Sequence, residues 1–351
     1  MKYNFLLFGI SLGCLFASCK PDFNLNASYK DIPVVYGILN YQDSIHYVKI
    51  YKGYQTNEQG AAFIDAQNPD SIYYYNNIIA VLEEYDENYN RTQRPEILLE
   101  ITDKFDRDSG IFCYKEDRII YYTTETIYKD KIYNIKITNK INGNITQGKT
   151  DIVNNFEIAN NSSTFSLLEK TSSVAFTSAI NAADRGYEIH VNFIYFEVDI
   201  RTNEVKIFKI IKNITPQVGE AFKSNIFGEI YKEFTPTFYD DIANQVKPNP
   251  NVKRYQGLPG GNGTCIEIEG WAAGEGLYNF LLSNKPTSSF VQINTRYTNL
   301  TSSDGVAFGF LSSRIKCPTK YFAITDPSQD TLISGSKTYQ LGFHPWTEYK
   351  P

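Results

Sequence analysis

The sequence predicts a mainly β protein, an N-terminal immunoglobulin-like β-sandwich followed by a β-rich α+β domain. Three observations lead there. Tyr and Phe are abundant, 27 and 23 of them in 351 residues, and aromatic and β-branched residues favour a pleated, half-buried surface. Short apolar segments bounded by Asn, Asp and Gly recur through the first half, which is the punctuation of hairpins. Past the middle, two longer strand signals give way to a four-residue apolar period, and that period reads as helix.

In chain order, residues 1–18 read as a signal peptide. Lys2 precedes an apolar run from Phe5 to Phe16, well short of the roughly 20 residues that span a bilayer. The run ends in Leu15-Phe16-Ala17-Ser18-Cys19, which resembles the bacterial lipobox. The resemblance implies cleavage before Cys19 and lipidation of its thiol. At about 0.8 kcal/mol per buried methylene, several acyl chains on one cysteine give a durable anchor. The mature chain is then expected to hang from the outer membrane through Cys19, with residues 19–30 as a tether.

The first domain is expected over 31–158. Its strand candidates are Pro33 to Leu39, Ile45 to Tyr51, Ile78 to Tyr85, Ile97 to Ile101, Arg118 to Thr123, Lys131 to Asn139 and Ile145 to Val153. So many short strands in about 120 residues suggest a sandwich. Residues 54–76 lack alternation and read as a surface loop. A polar seam at Ala159 to Ser163 marks the expected boundary.

The second domain is expected over 159–351. Tyr187 to Ile200 carries bulk on both faces, so it reads as a central strand, joined through Arg201 to Asn203 to Glu204 to Ile211. Phe222, Ile226, Ile230 and Phe234, then Phe238, Ile242 and Val246, recur every four residues. This predicts a helix near 219–246, kinked at Pro236. A strand at Cys265 to Glu269, a short helix at Leu277 to Ser283 and strands near Phe290 to Tyr297 and Val306 to Ser312 complete the reading.

Charge narrows the function. With 34 Lys and Arg against 39 Asp and Glu, the net charge is −5, which argues against nucleic-acid partners. Beyond Cys14, in the leader, and Cys19 lie Cys113, Cys265 and Cys317. Cys265 with Cys317 is the preferred disulfide, and closing that loop would stabilise by about 4 kcal/mol. Buried, unpaired thiols are the equal alternative. No metal-site spacing, cofactor motif or Gly-x-Ser-x-Gly elbow occurs, so no cofactor is expected.

Catalysis has little support. His46, His190 and His344 are far apart in sequence, whereas acid–base work needs groups held together. The glycines Gly257, Gly260, Gly261 and Gly263 feed a strand and suit a turn better than a phosphate cradle. Asp86, Asn88 and Asn90 resemble a calcium loop, but Arg91 stands where Gly is needed. Asp103, Asp106 and Asp108 read as a solvated loop. The tyrosine runs Tyr73 to Tyr75 and Tyr121 to Tyr122 suggest packing or a sugar-stacking platform, and alternation lets at most half of a strand's tyrosines share one surface.

The motifs Pro33-Val34-Val35-Tyr36-Gly37-Ile38-Leu39, His46-Tyr47-Val48-Lys49-Ile50, Gly110-Ile111-Phe112, Tyr297-Thr298-Asn299 and Ser312-Ser313-Arg314 resemble those of a family of Bacteroidota envelope lipoproteins that has a β-sandwich start and no assigned activity. The same resemblance implies O-glycosylation sequons at Ser44, Ser71 and Thr331. The resulting expectation is a lipid-anchored, non-enzymatic interaction module holding an envelope protein or a glycan. The alternative is a fimbrillin-like structural or adhesion subunit.

Overall fold

A computed structural model describes residues 31–53, 68–103, 119–158, 162–168, 175–177, 184–214, 227–229, 238–284 and 297–350. Alternation sets its first elements. In β1 (Pro33–Leu39), Val35 and Leu39 point inward, and in β2 (His46–Lys52) the inward set is His46, Val48 and Ile50. Then come α1 (Pro69–Ile72), a single turn capped by Asn68, β3 (Ile78–Tyr85), β4 (Ile97–Leu98), β5 (Glu100–Thr102), β6 (Ile120–Thr123), β7 (Ile132–Asn139) and β8 (Ile145–Asp151). The second half begins with β9 (Glu157–Ile158), β10 (Thr164–Phe165), β11 (Ala175–Thr177), β12 (Asp184–Asp199), β13 (Val205–Ile214) and β14 (Phe227–Glu229). It continues through α2 (Phe238–Gln245), β15 (Val252–Gln256), β16 (Thr264–Gly274), α3 (Glu275–Ser283), β17 (Leu300–Ser302), β18 (Phe308–Lys316), β19 (Lys320–Ile324), α4 (Asp326–Ser334) and β20 (Phe343–His344). The fold is mainly β.

Two sheets make the first half a sandwich. One is β17-β8-β7-β3-β4, and the other is the limb β18-β1-β2-β6-β5 of a twelve-stranded sheet. Leu82, Tyr133 and Ile135 meet Val35, Ile50 and Tyr121 between them. This core also takes Leu300, Ala307 and Leu311 from the far end of the sequence. β1 runs parallel to β18 from Val34↔Phe308 to Leu39↔Ser313, and β17 pairs with β8. The boundary expected after residue 158 is therefore crossed by returning chain. Gly309 permits the crossing: its φ is +91°, and a Cβ there would lie 1.9 Å from the Val35 carbonyl oxygen. Only glycine combines that backbone with that approach.

The same twelve-stranded sheet carries the second core. β12 is central, with β16 and β15 on one side and β13 on the other. Phe193, Ile266 and Ile268 pack against Phe238 and Ile242 of α2.

Two expectations are corrected here. Phe227–Glu229 form a strand against Ala175–Thr177, so among the described residues the helix expected near 219–246 is present only as Phe238–Gln245. A spacing of four is also two strand periods, so it keeps residues on one face of either element, and Gly228 weakens the helical choice. Residues 215–226 and 230–237 lie outside the described residues. The preferred disulfide is absent: Cys265 and Cys317 are free and buried. The Cys317 N–H donates to the Gly270 carbonyl, and positions 265 and 270 of an extended strand are about 16 Å apart at ~3.3 Å per residue. A disulfide needs Cα atoms within about 7 Å. Burial pushes the Cys265 thiol up to about 12 and the Cys317 thiol up to about 11.

Candidate functional site

The rim of the sandwich is built around one buried acid. Glu84, on β3, accepts hydrogen bonds from the Tyr133 hydroxyl at 2.8 Å, Thr92 Oγ1 at 3.0 Å and Arg94 Nη1 at 3.0 Å. Burial alone would raise its pKa, but these donors outweigh it and hold the carboxyl below its usual range. The Arg94 guanidinium also donates to the Thr126 carbonyl at 2.8 Å and to Glu125 at 3.1 Å, and it lies over the Tyr128 ring. One side chain thus ties the segment after the 86–90 turn to the segment after β6. A planar guanidinium with several fixed donors suits such a joint better than an ammonium.

Between these tied segments opens a cleft of about 360 Å³, lined among others by Arg94, Leu98, Glu100, Tyr122, Thr123 and Glu125. Strand alternation places its aromatic wall: Tyr121 is buried in the core while Tyr122 points outward. Tyr122 pairs with Tyr47 of β2, their ring centroids 6.4 Å apart and their planes tilted by 35°. The Tyr122 hydroxyl donates to Glu100 Oε2 at 3.0 Å. That hydrogen bond, with the carboxylate charge, raises the Tyr122 pKa, so the phenol keeps its proton. The cleft therefore offers one aromatic ring, carboxylate acceptors and one guanidinium.

A second concavity of about 270 Å³ lies where β8 meets α3, lined by Tyr89, Lys149, Asp151, Glu275 and Tyr297 among others. Tyr89 sits at φ +63° on the turn organised by Asp86, whose carboxylate accepts from the Asn88 and Asn90 N–H groups. The hairpin reading of Asp86, Asn88 and Asn90 accounts for all these contacts. Among the described residues no His, Cys, Asp and Glu group has metal-binding geometry.

The other sequence candidates are dispersed. Cys14, Cys19, Cys113, Asp106 and Asp108 lie outside the described residues. Ser44 is exposed beside a turn in which the Asn40 amide donates to Asp43. Ser71 is half-buried in α1, and the Thr331 hydroxyl donates to the Pro327 carbonyl within α4. His46 is buried in the sandwich, His190 is 2.8 Å from Glu188 beside Trp271, and His344 lies 3.5 Å from Glu348. Tyr73 and Tyr74 are core residues, so that run supplies no platform. Gly257, Gly260 and Gly263 take positive φ in the turn before β16.

The sequence names Tyr47 only within a family-like motif and gives Arg94 and Glu100 no signal as site residues. Tyr47 was within reach, because it alternates with inward His46 and Val48. Arg94 carries no such signal, since it lies in a bend between β3 and β4 where no local period sets its direction. Compared with known protein families and with curated proteins, the chain matches neither. Among the described residues no helix is long and apolar enough to cross a membrane.

Proposed function

We propose that this protein is a lipid-anchored, non-enzymatic binding module of the cell envelope, tethered to the outer membrane through Cys19, that holds a protein or glycan partner at the sandwich rim. The observation that carries the reading is the cleft of about 360 Å³ lined by the outward Tyr122, whose ring lies 6.4 Å from that of the exposed Tyr47. Its walls are fixed by the Arg94 contacts, and binding sites gain affinity when their walls are organised in advance. Of the three sequons, Ser44 is the preferred glycosylation position because its loop is exposed. A benzophenone side chain in place of Leu98, a cleft residue that is 57% exposed, tests the reading in whole cells. We expect an adduct at Leu98 and none with the same probe at Tyr339, which is 55% exposed. Equal adducts at both positions, or none, would count against it.

The fimbrillin-like alternative gains one observation. Among the described residues β13 pairs only with β12, and Ile207 and Ile211 on it are 58% and 54% exposed. An apolar edge strand is a template for strand addition. Against it, β1 lies between β2 and β18, so withdrawing the first strand would split the sheet. A ladder of copies cross-linked through β13 would favour the alternative.

A further inference from the structure

Resting on the binding-module reading, we infer that the rim cleft takes a neutral oligosaccharide of pyranose units, with Tyr47 and Tyr122 stacking on sugar faces and Glu100 accepting from sugar hydroxyls. Stacking follows from the geometry. Tyr122 lines the cleft, and Tyr47, 39% exposed, stands beside it with ring centroids 6.4 Å apart and planes tilted by 35°, so the two aromatic side chains are neighbours on one surface. A pyranose face is a set of C–H groups, and the electron-rich face of a tyrosine ring attracts their positive edge.

Orientation comes from Glu100. Its bond to the Tyr122 hydroxyl fixes the ring, and an ionised carboxylate has about four acceptor positions, which one phenol does not exhaust. The cleft's size falls in the range of about 300–1,000 Å³ usual for small-ligand sites.

Charge selects among sugars. Arg94 is the cation of the lining, and its guanidinium is engaged by Glu84 and Glu125. Glu96, Glu100 and Glu125 line the same cleft, with Glu96 at 3.7 Å from both Arg91 and Lys136, which leaves Glu100 as the acceptor that faces the ligand. Uronates and sulfated glycans would bring like charge to these carboxylates. Neutral sugars bring none.

The test is calorimetric titration of the full-length lipoprotein in detergent with cellohexaose, maltoheptaose and mannohexaose as neutral probes and hexagalacturonate as the anionic one. We expect saturable binding of at least one neutral probe and at least tenfold weaker binding of hexagalacturonate. Tyr122→Ala and Tyr47→Ala should each weaken the neutral probe at least tenfold, and Tyr339→Ala should leave it unchanged. Glu100→Gln with Glu125→Gln should narrow the gap to hexagalacturonate. Tyr47→Ala removes an exposed ring and reports even if Tyr122→Ala fails to fold. Preference for hexagalacturonate, indifference to the tyrosine substitutions, or no binding of any probe overturns the inference. If no sugar binds but Leu98 still cross-links a protein, the sugar assignment falls and the binding-module reading stands. If both fail, both fall.

Discussion

The Ser313 hydroxyl donates a 2.6 Å hydrogen bond to the main-chain carbonyl of Asp151 and accepts one from the Val153 N–H at 3.0 Å. It thereby joins β18 to the chain leaving β8, where the two cores meet. Beside it, Ser312 accepts from the Leu277 N–H, and Asn299 donates to the Leu311 carbonyl while accepting its N–H. The late motif residues are the polar staples of this joint. Ser313→Ala would leave the buried Val153 N–H without its partner, at a cost of about 1–3 kcal/mol, while the Asp151 carbonyl keeps the Thr150 hydroxyl. We expect a fall in melting temperature with unchanged secondary structure. Thermal unfolding followed by circular dichroism checks it, with Ser303→Ala, whose hydroxyl serves an exposed turn, as a near-silent control.

Arg94→Ala should be more costly than an exposed ion pair suggests. It removes the cation from Glu84, a buried carboxylate, and breaking a buried pair costs about 3–5 kcal/mol where the remaining charge is stranded. Tyr133 and Thr92 still serve Glu84, so we expect about 3 kcal/mol. Glu84→Gln placed on Arg94→Ala should recover part of the loss, because it removes the stranded charge. Urea unfolding of the two variants decides it, and no recovery would argue against a charge-based cause.

His46 should make the protein acid-sensitive. It is 2% exposed, and among the described residues neither ring nitrogen has a hydrogen-bond partner. Burial lowers its pKa, with the Asp43 charge pulling weakly the other way. The unfolded chain takes up a proton near pH 6.5, while the folded form resists it. Below about pH 6.5 the unfolded state thus binds more protons, and stability falls as the pH is lowered until the folded pKa is reached. Above that window the term is flat. Glu84, whose pKa is also lowered, loses its contribution only in the carboxylate range further down. Melting temperatures at pH 7.5 and 5.5 for wild type and His46→Leu check this, and the drop should shrink in the variant.

The segment 31–155 should not fold cooperatively by itself. The strands were legible in the sequence because alternation is local: β1 and β3 begin and end where the pattern places them. The tie of β1 to β18 joins positions more than 250 residues apart in sequence, and no local period encodes that. Gly309 and Leu311 therefore look ordinary in sequence although they complete the first core. The Tyr121 and Tyr122 split was legible from the two-residue period, while the Arg94 and Glu84 pair was not, since neither fixes the other's strand. Circular dichroism of the isolated segment should show no sharp thermal transition, and addition of a 297–317 peptide should sharpen it. A cooperative melt of the segment alone would support an independent domain over 31–158.

We propose that the protein is held at the membrane through Cys19. Metabolic labelling with an alkyne-bearing palmitate, followed by fractionation of cells making wild type or Cys19→Ala, tests this directly. Labelled wild type in the outer-membrane fraction, with an unlabelled Cys19→Ala chain, is the expected result, and equal labelling of the two chains would contradict it.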